Sequence, residues 1–169
     1  CIAPFNFPLA LAAGMSSAPL VTGNTVVFKP AQDTPWTGLR LYHIYREAGV
    51  PGEVLHFISG RGSRIGDALW QHPKVDGIVF TGSKDVGIRM FKGFSTRWVK
   101  PCLTELGGKN ACIVTESADL DAAAEGVMKS AWGLQNQKCS ACSRVYVHRK
   151  VAGEFTAALI EKTRAVIIG

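Results

Sequence analysis

The run Gly23-Asn24-Thr25-Val26-Val27-Phe28-Lys29-Pro30 decides the fold. Its centre is β-branched and aromatic, Gly23-Asn24 turns the chain before it, and Pro30 lacks the amide proton that a continuing strand would donate. Residues 25–29 therefore read as a buried strand. Beyond it, Leu41, Ile44, Tyr45 and Ala48 recur at i, i+3, i+4 and i+7, the spacing of one helix face, and Gly49 with Pro51 stops that helix. The alternation then repeats, with a strand at 54–58, a helix at 65–71, a strand at 75–80 and a helix opened by Gly82-Ser83. Strands and helices alternating at this spacing predict βαβ units, an α/β fold built on a parallel sheet with flanking helices.

The second half carries short apolar runs at 102–106 and 111–115. One helical stripe follows, formed by Leu120, Ala123, Ala124, Val127, Met128 and Ala131 and capped by Ser117 or Asp119. A strand at 145–148 and a helix carrying Val151, Phe155, Ala158 and Leu159 come next, and residues 166–169 look like another strand. The chain opens on Cys1 inside an apolar patch and closes on that strand-like run, so both ends are expected to be cuts from a longer protein. No internal repeat, low-complexity tract or linker stands out.

With 169 residues and 47% hydrophobic content the chain is able to bury a core. Lys and Arg outnumber Asp and Glu by 19 to 13. That excess is compatible with an anionic ligand, but the basic residues form no run of the kind that marks a nucleic-acid tail, so no nucleic-acid partner is expected. The longest apolar stretch, 9–21, is broken by Gly14, Ser16, Ser17 and Pro19 and is too short for a membrane span; no membrane partner is expected either. Five cysteines without a signal peptide point to a reducing compartment, the cytoplasm or, in a eukaryote, the mitochondrial matrix.

Two segments carry chemistry. Glu105-Leu106-Gly107-Gly108-Lys109-Asn110 sets a carboxylate at a strand end before two glycines that let the backbone turn and a ligand approach. Asn136-Gln137-Lys138-Cys139-Ser140-Ala141-Cys142 is a polar segment in which Lys138 adjoins the Cys139 thiol, and a nearby ammonium favours the nucleophilic thiolate. Cys139 and Cys142 also have the C-x-x-C spacing of a redox pair or half a zinc site. Zinc requires a second ligand pair that Cys102, Cys112 and His148 do not supply, so no metal is expected. Gly60-x-Gly62 places its third glycine one residue late for a dinucleotide fingerprint, and 82–87 begins a P-loop but continues with Ile88-Arg89 in place of Lys-Ser or Lys-Thr.

Taken with Pro4-Phe5-Asn6-Phe7-Pro8-Leu9 and Phe80-Thr81-Gly82-Ser83, these segments resemble the aldehyde dehydrogenase superfamily in order and spacing over almost the whole chain. Residues 137–147 are most similar to the glutamate-semialdehyde (1-pyrroline-5-carboxylate) dehydrogenases. The resemblance implies a Rossmann-like cofactor domain at 1–106 and the start of a catalytic domain at 107–169. It implies Cys139 as nucleophile, the Asn6 side chain and the Cys139 amide as donors to an oxyanion, and Glu105 as general base. The cofactor is then NAD, with NADP left open, contacted by Lys29, Gln32, Gly82, Ser83, Leu106 and Phe5.

The substrate is a small aldehyde, expected to be L-glutamate γ-semialdehyde in proline catabolism, held by Lys138, Ser140 and Phe7 with Trp132 as a further wall; polar residues beside the thiol disfavour long alkyl or aromatic aldehydes. The alternative is a non-catalytic dinucleotide-binding or structural member of the same fold. Two positions depart from the family pattern. Gln32 stands where many NAD-preferring members carry an acid, and Asn136 stands where a glycine usually precedes the Gln-x-Cys. The downstream Glu-x-Phe-Gly-Pro segment is absent from these residues, so the piece alone is expected to be inactive, and the parent enzyme is expected to be a homo-oligomer.

Overall fold

The computed structural model describes residues Cys1 to Ile168 and divides into two compact units, Cys1–Leu106 and Gly107 onward. In the first unit the order is α1 (Ala10–Val21), β1 (Val26–Phe28), α2 (Pro35–Glu47), β2 (Leu55–Phe57), a π-turn (Gly62–Gly66), α3 (Asp67–Trp70), β3 (Ile78–Gly82), α4 (Lys84–Phe94) and β4 (Cys102–Leu106). β1 pairs with β2 and β3 pairs with β4, both in parallel. Ile2 joins the two ladders, bridging in parallel to Lys29 on one side and Phe80 on the other. Its amide donates to Val79 O at 2.9 Å and its carbonyl accepts from Thr81 N at 3.2 Å. The order across the unit is therefore β2, β1, the Cys1–Ala3 segment, β3, β4, a twisted parallel arrangement of the Rossmann-like kind.

The alternation read from the sequence is present, with local differences. Pro35 sets the first turn of α2, where its missing amide proton costs nothing. Leu41 is buried beneath α2 at 4% exposed, but Ile44 lies on its outer side at 51%. The helix expected at 65–71 is present within a continuous helical run that begins three residues earlier, as a π-turn at Gly62–Gly66, and passes directly into α3, which ends at Trp70. The stretch 9–21 is largely helical as α1, tied to α2 where Ser16 Oγ and Tyr45 Oη meet at 3.0 Å and Tyr45 Oη donates to Ala13 O. Among the described residues no helix is long and apolar enough to cross a membrane.

Two cores support this unit. Phe28, Leu55, Val26, Leu41, Ala3 and Ala12 form one, and Trp70, Ile78, Phe80 and Met90 form the other. Phe28 and Leu55 are fully buried, and truncating either to alanine would cost about 2–5 kcal/mol.

The second unit runs β5 (Asn110–Val114), α5 (Leu120–Trp132), a turn at Gly133–Asn136, β6 (Cys142–Val147), a 3₁₀ turn (Arg149–Val151) and α6 (Ala152–Arg164). β5 and β6 pair in parallel, with a register shift between Asn110 and Ala111. Asp119, not Ser117, caps α5: its Oδ1 accepts from Ala122 N at 3.0 Å, while Ser117 Oγ meets Thr115 Oγ1 instead. Ala124, Val127 and Ala131 of the expected stripe pack with Val114, Cys142 and Phe155 into the core. Val151 belongs to the 3₁₀ turn and precedes α6. Residues 166–168 form no strand, and Gly169 of that strand-like run lies outside the described residues.

Candidate functional site

A parallel sheet presents all its strand carboxyl ends along one edge, and that edge gathers the candidates of the first unit. Lys29 follows β1, Phe5, Asn6 and Phe7 follow the Cys1–Ala3 segment, Gly82 ends β3 with Ser83 next in the chain, and Glu105 and Leu106 end β4. The β3–β4 register sets Thr81 opposite Glu105 and Gly82 opposite Leu106. α4 packs closely there: a Cβ on Gly87 would lie 2.0 Å from Leu106 Cδ2, so Gly87 serves helix packing and no phosphate loop. Ser83 is the N-cap residue of α4, yet its hydroxyl makes no capping bond, and the free amides of the first turn open on the same edge.

Lys29 is 5% exposed. Its Nζ donates to Pro30 O at 3.1 Å, and burial holds its pKa below the ordinary lysine value. Just past β1 and β2, Gln32, Asp33, Pro35, Ser59, Gly60 and Arg61 line a cavity of ≈ 360 Å³. Gln32 thus has an acid beside it and an arginine across the same cavity. Phe5 and Phe7 are partly exposed, and Glu105 is exposed on its strand.

In the second unit Lys138, Cys139 and Ser140 share one loop between α5 and β6, with Cys139 exposed. Its backbone is held by several independent ties. Asn110 Nδ2, at the start of β5, donates to Cys139 O at 2.5 Å and to Ala141 O at 3.2 Å. Asn136 Nδ2 donates to Ala131 O at 2.9 Å and Cys142 O at 3.0 Å. Ser130 Oγ accepts from Cys142 N at 3.0 Å, and Ala141 N donates to Lys138 O at 3.1 Å. The tie from β5 depends on Gly107 and Gly108. Gly107 takes φ 50°, and a Cβ on Gly108 would fall 2.0 Å from Cys139 O. Gly108 permits a close approach by the peptide of Cys139.

The two cysteines of the C-x-x-C are in different settings. Cys142 is buried in the core and its Sγ donates to Arg144 O at 3.4 Å, whereas Cys139 faces out; both are free thiols. Among the described residues no group of three or more His, Cys, Asp or Glu is placed to hold a metal ion. Lys138 folds back over its own loop, its Nζ 3.0 Å from where a Cβ on Gly133 would be. Trp132 is half exposed, and its indole N–H donates to Thr163 Oγ1 of α6 at 3.3 Å.

The loop's anchors, Asn110, Ser130 and the carboxamide of Asn136, did not emerge from the sequence as site residues. Asn136 was singled out only as a replaced glycine. Its φ of 63° shows why the position favours glycine, and asparagine is the residue with a Cβ that tolerates this region best.

Comparison with known proteins places this geometry in a family. The aldehyde dehydrogenase family model matches residues 1–169. A 1-pyrroline-5-carboxylate dehydrogenase of Bacillus cytotoxicus is 43% identical over 173 residues, covering 99% of this chain and 34% of that protein. A Thermus 1-pyrroline-5-carboxylate dehydrogenase solved with bound NAD superposes with a TM-score of 0.93 at 40% identity, covering 99% of this chain and 34% of the other. An NADP-dependent glyceraldehyde-3-phosphate dehydrogenase from Bacillus halodurans, solved with NADP, gives 0.92 at 39% identity over 99% of this chain and 35% of its own. The chain thus spans about a third of the length of these relatives. With the match running from its first residue to its last, the chain belongs to the aldehyde dehydrogenase family.

Proposed function

We propose that the protein containing this chain oxidises an aldehyde to a carboxylic acid, with L-glutamate γ-semialdehyde as substrate and Cys139 as nucleophile. The observation that carries the reading is the Cys139 loop: an exposed thiol on a backbone whose neighbouring carbonyls are fixed by Asn110 and Asn136. A nucleophile gains from such fixing because the entropy of orientation is removed before the substrate arrives.

The strand-end residues of the first unit fit a dinucleotide. The amides at the start of α4, with Ser83, suit the pyrophosphate, and Lys29 suits ribose hydroxyls. Gly82, Leu106 and Phe5 supply close backbone approach and apolar surface along the same edge. The cavity beside Gln32 offers Asp33 for ribose hydroxyls and Arg61 for a 2′-phosphate, so both NAD and NADP suit it. When bound, the nicotinamide supplies the hydride acceptor.

The chain's own residues account for the remaining steps. Cys139 Sγ adds to the aldehyde carbon, and the resulting oxyanion of the thiohemiacetal accepts from the Asn6 amide and the Cys139 N–H. Loss of hydride leaves an acyl thioester on Cys139. Glu105 takes a proton from water, the hydroxide adds to the thioester, and the Cys139 thiolate leaves with release of the acid. Lys138, Ser140 and Phe7 border the substrate, and the polar atoms of Lys138 and Ser140 disfavour a purely apolar aldehyde.

Cys139→Ala in the full-length protein tests this. Reduction of NAD with glutamate semialdehyde should fall by at least about 10³-fold, with unchanged NAD affinity. Turnover near the wild-type rate would refute the mechanism.

A further inference from the structure

We infer that Asn136 is a positioning residue for Cys139, its carboxamide closing the loop on which the thiol stands; the inference rests on the reading of Cys139 as nucleophile. Leu134, Gln135 and Asn136 have φ of 52°, 55° and 63°, three residues with a Cβ in succession in the left-handed region. Such a run is strained and persists only where its surroundings over-determine it. The ties at its end do this. Both Nδ2 protons of Asn136 are used, one on Ala131 O at 2.9 Å and one on Cys142 O at 3.0 Å. Because both partners are carbonyls, the orientation of the amide is fixed by its neighbours.

Ala131 O lies in the last turn of α5, where carbonyls lack helical partners, and Cys142 opens β6. One side chain therefore satisfies an orphan helix carbonyl and pins both ends of the segment holding Lys138, Cys139 and Ser140. A glycine at 136 would take the same φ with less strain and join nothing. An aspartate would keep the backbone preference and turn its oxygens against two carbonyls. Asn110 acts separately, on the carbonyls of Cys139 and Ala141 themselves.

The test compares Asn136→Gly and Asn136→Asp with wild type and Cys139→Ser, all in the full-length protein. For Asn136→Gly, kcat should fall about tenfold or more while KM for NAD stays within about twofold, since the bridge acts on the nucleophile and not on the cofactor. Alkylation of Cys139 by iodoacetamide should change by a similar factor, and Asn136→Asp should be more impaired in both. Wild-type kcat and alkylation in Asn136→Gly would overturn the inference, leaving only a need for left-handed backbone. Should either variant fail to fold, a crystal structure of the wild-type protein decides: Nδ2 within hydrogen-bond distance of both carbonyls upholds the bridge, and its absence overturns it. Cys139→Ser reports on the nucleophile alone, because retained turnover there removes that reading whatever the alkylation rates show for the loop.

Discussion

Lys29 places a single charged group inside the first unit. Its ammonium is buried beside Pro30 O, and desolvation holds its pKa below 10.5. Between the folded and ordinary values the unfolded chain carries the proton and the folded chain does not, so stability rises with pH through that window. Below it, the charged group opposes folding. Lys29→Met should remove this alkaline gain and leave the melting temperature at neutral pH equal or higher, while raising KM for NAD about tenfold. Thermal melts from neutral to alkaline pH and cofactor titration of the full-length protein check both halves. A destabilised variant with unaltered NAD binding would contradict the assignment. Lys29 was legible in the sequence as the end of a buried strand; the bond of its ammonium to Pro30 O was not, because strand patterning carries no information on where a long side chain turns.

At the scale of elements, alternation in the sequence carried most of the fold, since β-branched runs and helical stripes are local patterns. In two places the structure differs from the pattern. The helix expected at 65–71 starts at Gly62 with a π-turn and ends at Trp70, and Ile44 faces outward despite its spacing. The three left-handed residues after α5 had no local marker other than Asn136, because Leu134 and Gln135 rarely adopt that conformation. Gly108 carries the clearest consequence of element packing. β5 reaches the Cys139 loop only because Gly108 has no side chain, so Gly108→Ala must push the Cys139 peptide away. A displacement near 1 Å at a nucleophile costs about 10²-fold, and kcat should fall by that factor, with the Asn110 bond to Cys139 O weakened. Steady-state kinetics of Gly108→Ala in the full-length protein measures this, and a loss under about threefold would show that the approach is not needed.

For the molecule as a whole, the candidate site was legible as a set of motifs but not as an arrangement. Glu105 and Cys139 stood out from their own segments, and the family resemblance added Asn6. The structure then added the strand-edge alignment of the first unit and the clamped loop of the second. Leu103, Ile113 and Tyr146 stay largely exposed on the outer faces of their strands, unlike their buried neighbours Ile78 and Val114. Apolar strand faces of this kind ordinarily lie against further protein, in keeping with a chain that spans about a third of its relatives. In the proposed reaction Cys139 carries the acyl group and Glu105 clears it. Mass analysis of full-length Glu105→Gln after mixing with NAD and glutamate semialdehyde tests it most directly. The peptide containing Cys139 should gain the mass of a glutamyl thioester, because hydrolysis is slowed while acylation proceeds. An unmodified Cys139 alongside continued NADH formation, or an acyl group on another residue, would contradict it.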